Sequence, residues 1–237
     1  MPSLGIEPVY ITDLFAYPGV SKQEYTELLE QNLGNMKEAR PDLILCDHYH
    51  LELRDRFKAF APHIFIDFHG WAWRTNFMKI SELLDRKPEA EQTLARLELR
   101  IADVREELKG IIGNKRVTVM QVNHKGIGIQ GKHYHPLNEL LYAELAIAPG
   151  LQTPSDIWRW EFQPEELPHL DTDYLFIQKH HLRAGSETVF NRMLLTASWS
   201  EMRAVREQEV RLIPNWFVMS WTPIGRNQII DLLLTLE

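Results

Sequence analysis

Apolar residues recur along this chain in two rhythms, and the longer one is the easier to read. Over residues 88–113, PEAEQTLARLELRIADVREELKGIIG, the positions Ala90, Leu94, Leu97, Ile101, Val104, Leu108 and Ile111 follow one another at steps of four and three. That spacing lays one apolar stripe along a helix whose other faces are charged. Pro88 suits the first helical turn, where its missing N–H would go unsatisfied anyway, and Gly113 followed by Asn114 tolerates a left-handed end. At 1.5 Å per residue the rod measures roughly 35–40 Å, enough to join two bodies.

The second rhythm is a set of short apolar runs on both sides of the rod. LGIEPVYI near the start reads as a strand, and residues 21–39 as one or two short helices with Ser21 as cap and Arg40-Pro41 as stop. Leu43, Ile44, Leu45 and Cys46 form an unbroken run too short for a helix, which predicts a parallel strand buried on both faces. It leads into His48, Tyr49 and His50. LELRDRFKAFA reads as a helix, Pro62 breaks it, and HIFIDF is a second strand leading into His69, Gly70, Trp71, Trp73 and Arg74, after which TNFMKISELLD is helical.

Beyond the rod, RVTVMQV is a strand ending at Asn123, His124 and Lys125, followed by GIGIQGKHYH as a glycine-punctuated turn and by a helix from Pro136. Trp158 and Trp160 fall on a loop or edge before a helix start at QPEELPHL. DYLFIQ is a strand ending at Lys179, His180, His181 and Arg183. A helix with Met193 and Trp199, a strand at EVRLIPN, Trp216, Trp221 and a closing helix RNQIIDLLLTL complete the chain. Strand and helix alternate throughout, so the fold class is α/β with two Rossmann-like lobes, 1–87 and 114–237, each around a mainly parallel sheet and joined by the single helix 88–113. Ligands of open α/β sheets lie beyond the carboxyl ends of the strands, which predicts a cleft between the lobes walled by those aromatic and basic ends.

Composition narrows the function. With 237 residues, 44% hydrophobic and 25% charged, the chain has enough apolar material for one large core or two smaller ones. No run approaches the eighteen or so apolar residues of a membrane span, and no leader is visible at MPSLGIEPVY. A formal net charge of -7 argues against direct nucleic-acid binding. The single Cys46 excludes an internal disulfide and, in an apolar run, reads as an inert buried thiol. No phosphate-binding glycine loop, G-x-S-x-G elbow or H-E-x-x-H helix is present, so a binder is a better reading than an enzyme.

Several phrases, LGIEPV, RPDLIL, FAPHIFIDF, LLDRKPEAEQTLARLE, RVTVMQV with GIGIQG, and EELPHLDTDYLFI, stand in an order that resembles the class III substrate-binding proteins. These are the iron-siderophore and vitamin B12 receptors of ABC importers, and Trp199, EVRLI and IIDLLL extend the match. The resemblance implies two α/β lobes, one linking helix and a ligand bound without covalent cofactor. It implies an ABC permease as partner if the chain is a receptor, exported with its leader removed to the cell surface or periplasm. The same module follows the DNA-binding domains of AraC-type regulators, which implies instead a cytoplasmic sensor of ferric siderophore, although nothing here resembles a helix-turn-helix. The family usually opens with one more strand than this chain shows, so the first lobe is expected to lack its first strand.

A ferric tris-catecholate spreads negative charge over flat rings, and its host needs cations and aromatic faces. His48, His50, Trp71 and Arg74 from the first lobe, and His124, Lys125, Tyr134, Lys179, His180, Arg183 and Trp216 from the second, supply them. The resemblance singles out Lys125 and Lys179, while histidines stand where relatives use lysine or arginine. Each feature has a plainer reading: Lys132, Arg183 and His69 as solvated loop groups, and Trp71, Trp73, Trp216 and Trp221 as packing. The pairs His48/His50 and His133/His135 have an i, i+2 spacing that could hold zinc or manganese directly. Three readings therefore stay open: siderophore binder, direct zinc or manganese binder, and histidine-dependent metallohydrolase.

Overall fold

The computed structural model describes residues 2–12, 21–66, 72–179 and 185–236. They fall into two units, Met1–Ala90 and Glu91–Glu237. In the first, Ser21 starts a single helix, α1 (Lys22–Glu38), through reciprocal bonds: its hydroxyl accepts from the Glu24 N–H at 3.2 Å and its own N–H donates to the Glu24 carboxylate at 2.8 Å. Leu33 and Met36 of α1 pack with Ile44, Leu53, Phe57 and Ala61. The strands β1 (Ile44–Asp47) and β2 (His63–Ile66) pair in parallel, Ile44 opposite His63. Between them run a 3₁₀ segment, His48–Leu53, and α2 (Arg54–Lys58), and after them comes α3 (Trp73–Leu83).

The strand expected at LGIEPVYI does not form. Pro2–Leu4 is a 3₁₀ turn, and Ile6–Ile11 makes no backbone hydrogen bond among the described residues. A strand is defined by a neighbour that accepts its bonds, and apolar alternation alone does not provide one.

The long helix, α4 (Lys87–Ile112), begins just before the boundary between the units and continues in the second. Ala90, Leu97, Ile101, Val104 and Leu108 are buried as their spacing requires, but the stripe ends on Ile112 rather than Ile111. A 3.6-residue repeat drifts against steps of three and four over this length. Arg100 donates to Asn227 at 2.8 Å and pairs with Asp231, and Arg105 donates to the Glu144 carbonyl. Most of the rod is thus packing material of the second unit.

The sheet of that unit is built from β3 (Arg116–Val122), β4 (Ile127–Gln130), β5 (Ala148–Pro149), β6 (Arg159–Phe162), β7 (Tyr174–Lys179) and β8 (Val210–Leu212), in the order β6-β4-β3-β7-β8 with β5 beside β3. The β3–β7, β7–β8 and β3–β5 pairs are parallel, and β4 runs antiparallel to β3 and β6. The mainly parallel sheet is as expected, but GIGIQG is a strand and not only a turn. Its glycines hide it, and Gly128 has a reason to be glycine that appears below. Helices α5 (Pro136–Asn138), α6 (Ser186–Leu194), α7 (Ala197–Glu201), α8 (Arg203–Arg206), α9 (Trp216–Met219) and α10 (Pro223–Leu234) complete the unit, and a π-helical turn, Glu139–Glu144, follows α5. One sheet face, with Met120, Val122, Ile127, Ile129, Leu175 and Ile177, packs on Val189 and Met193 of α6. On the other, Phe176 meets Trp216 edge-on at 5.2 Å. The helix start read at QPEELPHL is a single turn, Pro164–Glu166, stopped before Pro168.

Candidate functional site

A cluster of polar groups in the second unit lies where β3 turns into β4. Asn123, just past β3, accepts at its side-chain oxygen from the N–H groups of Lys125 (2.7 Å) and Gly126 (3.2 Å), closing an Asx turn that lifts Lys125 off the sheet. Gly126 is required there, because a Cβ would stand 2.7 Å from the Phe162 carbonyl oxygen. Gln163 braces the turn by donating to the Lys125 carbonyl at 2.8 Å. Lys125 is exposed, and its ammonium has no partner among the described residues. A polar cavity of about 300 Å³ opens beside it, lined by Asn123, Lys125, Arg159, Glu161, Gln163 and Glu166.

Arg159 is the residue that reading the sequence missed. It stands on the edge strand β6, where its side chain is only 6% exposed. It reaches inward across Gly128, whose added Cβ would lie 1.8 Å from the Arg159 Nε. Its guanidinium donates to the Gln121 side-chain oxygen and sits 3.1 Å from Glu161. Burial pulls its pKa down, and Glu161 pulls it back up. It is a desolvated cation at the wall of a cavity, the state in which an arginine interacts most strongly with an anion. The signal in the sequence was an arginine between two tryptophans on a loop or edge, but its partners Gly128 and Gln121 become neighbours only through strand register.

The other predicted residues are placed as follows. Lys179, at the end of β7, is committed to Glu187 at 2.8 Å and lies over the Phe190 ring at 5.0 Å, so an anion would compete with a carboxylate for it. His124 lies beside Gly185, the left-handed residue (φ 95°) before α6, where an added Cβ would stand 3.3 Å from the His124 Cβ. Tyr134, also left-handed (φ 70°), is 54% exposed and meets His133 edge-on. In the first unit, His50 is buried with its Nδ1 2.7 Å from the Asp47 carboxylate. Arg74 lies in the first turn of α3 with its guanidinium 4.6 Å over the Trp73 ring, and Trp73 is itself core. Trp71, His180 and Arg183, with His69 and His181, lie outside the described residues, as does the side chain of His48.

Two readings need correction. Trp216 is 2% exposed and fills the core against Phe176, so neither face is open to a ligand. His135 is no zinc partner for His133: its Nδ1 accepts from the Leu137 N–H at 3.0 Å, capping α5, and its ring is wedged against Phe217 and Trp221. Burial pushes its pKa down to about 3, so it is neutral. Among the described residues, no three His, Cys, Asp or Glu side chains are grouped to hold a metal ion.

The chain is 23% identical over 199 residues to the HTH-type transcriptional activator Btr of Bacillus subtilis (strain 168), covering 82% of this chain and 36% of Btr. It is 22% identical over 193 residues to the iron(3+)-hydroxamate-binding protein FhuD of the same organism, covering 79% and 58%. It therefore spans about a third of one curated relative and under two thirds of the other. Among solved structures it resembles an FhuD-fold periplasmic binding protein component of a Fep/Fec-like ferrichrome ABC transporter from Bacillus subtilis, with TM-score 0.70, 18% identity and coverage of 85% and 75%. It also resembles Staphylococcus aureus SirA complexed with staphyloferrin B, with TM-score 0.68, 16% identity and coverage of 100% and 89%. FhuD2 from Staphylococcus aureus with bound ferrioxamine B gives TM-score 0.64, 16% identity and coverage of 86% and 80%. The periplasmic binding protein family model matches residues 18–215, and the chain belongs to that family.

Proposed function

We propose that this chain binds a ferric siderophore, and that Lys125 and Arg159 are its principal anion contacts in the second unit. The observation that carries the reading is the buried guanidinium of Arg159 on the wall of the same cavity as the exposed Lys125. A chelator already fills the iron's coordination shell, so its host needs charge and hydrogen-bond donors rather than metal ligands, which matches what the cavity offers. Membership of a binding-protein family makes the chain a binder rather than an enzyme. We retain the catecholate class as the first choice because its complexes are anionic. The hydroxamate class is the second reading, favoured by the name of the relative FhuD and by the ferrioxamine B bound to FhuD2.

Titration of tryptophan fluorescence with ferric catecholate and with ferrioxamine B tests both. Saturable quenching by either supports siderophore binding, and Lys125→Ala should then weaken an anionic catecholate complex by about 1.5–3 kcal/mol while leaving ferrioxamine B nearly unaffected. Stoichiometric uptake of free zinc in calorimetry, with no response to any ferric complex, would overturn the proposal. Two contexts are compatible with such a module: the sensor part of a regulator, as the likeness to Btr suggests, or a transport receptor docking on a permease, as the likeness to FhuD suggests. No helix of the described residues is long and apolar enough to cross a membrane. Protease shaving of intact cells separates a surface receptor, which is cut, from a cytoplasmic sensor, which is not.

A further inference from the structure

One outer edge of the second unit's sheet is β6, and its backbone is arranged to take another strand. Residues of an antiparallel strand bond alternately to one neighbour and to the other. The Gly131 N–H donates to the Trp158 carbonyl at 2.9 Å, and Ile129 and Ile127 stand opposite Trp160 and Phe162, so these residues of the β6 chain bond to β4. The alternate residues of β4 are committed to β3: the Asn123 N–H donates to the Gly126 carbonyl at 3.0 Å, which assigns Gly128 and Gln130 to that side. Arg159 and Glu161 therefore present their own N–H and C=O groups outward. Among the described residues no strand lies beyond β6, and no turn or loop backbone group bonds to them. The side chains alternate in the same way. Trp158 and Trp160, 46% and 37% exposed, share the face of Phe162, and the Trp160 ring meets Phe162 edge-on at 5.4 Å. Arg159 and Glu161 take the opposite face, Arg159 turned back over Gly128 and Glu161 open to solvent. Sheets usually protect a free edge with a lysine, a proline or a bulge. The strand β6 has none of these, and tryptophan is a residue type enriched where proteins meet.

We propose that β6 pairs antiparallel with β6 of a second copy of this chain, across a two-fold axis at Trp160. The order Arg159, Trp160, Glu161 is what selects a copy over other extended segments. Rotation about that axis sets Arg159 opposite Glu161 of the second copy and Glu161 opposite its Arg159, so each charge that would deter a neutral strand meets its opposite. The outward N–H and C=O groups of these residues then bond in both directions. The same rotation lays Trp160 against its own counterpart at a non-hydrogen-bonded position, where cross-strand side chains come closest, and Trp158 against Phe162. The pairing does not depend on which ligand the chain takes. An interface this narrow makes a concentration-dependent dimer, with Kd on the order of 10–100 µM.

Sedimentation equilibrium of the 237-residue chain tests this, and because Trp160 faces itself the register has its own signature. The unaltered chain should pass from monomer to dimer as its concentration rises, and its Arg159 and Glu161 amides should gain protection from hydrogen exchange as it does. Trp160→Lys and Trp160→Glu should each stay monomeric, since each sets like charges opposite one another, whereas an equimolar mixture of the two should associate about tenfold more tightly than either alone. Glu161→Pro removes an outward N–H that no bond within the chain uses, so it should weaken the dimer about tenfold or more and leave the unfolding midpoint nearly unchanged. A chain still monomeric at about 1 mM would overturn the proposal. So would a dimer in which the two amides gain no protection, a dimer that these substitutions leave intact, or a mixture no more associated than its components.

Discussion

Replacing Arg159 by methionine separates a ligand-binding arginine from one that merely holds the sheet together. Methionine keeps much of the aliphatic stem that crosses Gly128 and removes the charge. Its structural cost is bounded by what the guanidinium touches. The Gln121 oxygen loses its donor, a loss worth about 1–3 kcal/mol for a buried acceptor. Glu161, 65% exposed, is resolvated almost without cost. Against these stands relief of the desolvation that already depresses the arginine's pKa, so the net loss of stability should be about 1 kcal/mol or less. The binding cost is larger, because a desolvated charge facing a ligand anion is worth about 2–5 kcal/mol, or roughly thirtyfold and upward in Kd. Urea unfolding and fluorescence titration of the same two proteins read both numbers. A variant that melts several kcal/mol lower and binds unchanged would refute the reasoning and leave Arg159 a structural group. Arg159→Lys, which keeps the charge but not the planar fork, should fall between.

Three further outcomes follow from groups away from the cavity. Arg226, fully buried, pairs with Glu144 and donates to the Pro136 carbonyl at 3.0 Å; Arg226→Met should cost about 3–5 kcal/mol in urea unfolding, and adding Glu144→Met should restore part of it. His135 holds a pKa near 3 when folded, so only the unfolded chain takes up its proton as the pH drops below about 6.5. Its contribution is complete above that pH and is lost at about 1.4 kcal/mol per unit between there and pH 3, a slope His135→Asn should remove in unfolding curves taken across that range. Cys46, its thiol pushed up to about 11 by burial first and by Asp47 second, should react with a thiol reagent at pH 8 roughly a hundredfold more slowly than in urea.

How much could be read in advance differs from element to element for physical reasons. Helix α4 was legible because seven apolar positions repeat over about six turns and no strand produces that period. The parallel strands β1, β2 and β7 were legible as short apolar runs between polar punctuation, and β3 by its β-branched residues. Strand β4 was not, since its glycines mimic a turn and its purpose, making room for Arg159, exists only once β6 lies beside it. Ile6–Ile11 shows the opposite error: the alternation is present, but no strand among the described residues pairs with it. Of the candidate site, the place of Lys125 just after a strand was legible, and the pairing of Lys179 with Glu187 was not, because it depends on how α6 leaves the sheet. Trp216 and His135 misled for a shared reason. Aromatic and imidazole rings serve cores and ligands equally well, and only burial decides between them.

The balance of cations and carboxylates around the cavity has a kinetic consequence. Among the described residues around the cavity and the end of β7, three cations, Lys125, Arg159 and Lys179, stand with three carboxylates, Glu161, Glu166 and Glu187. Those six groups balance one another, so the described part of this surface draws anions in from solution less than an all-basic patch would. Association should be slow relative to steered encounters and only weakly sensitive to ionic strength, and phosphate or citrate at millimolar concentration should compete poorly. Selectivity then rests on contact, where a large rigid ligand can reach a buried guanidinium that a small hydrated ion has no reason to approach.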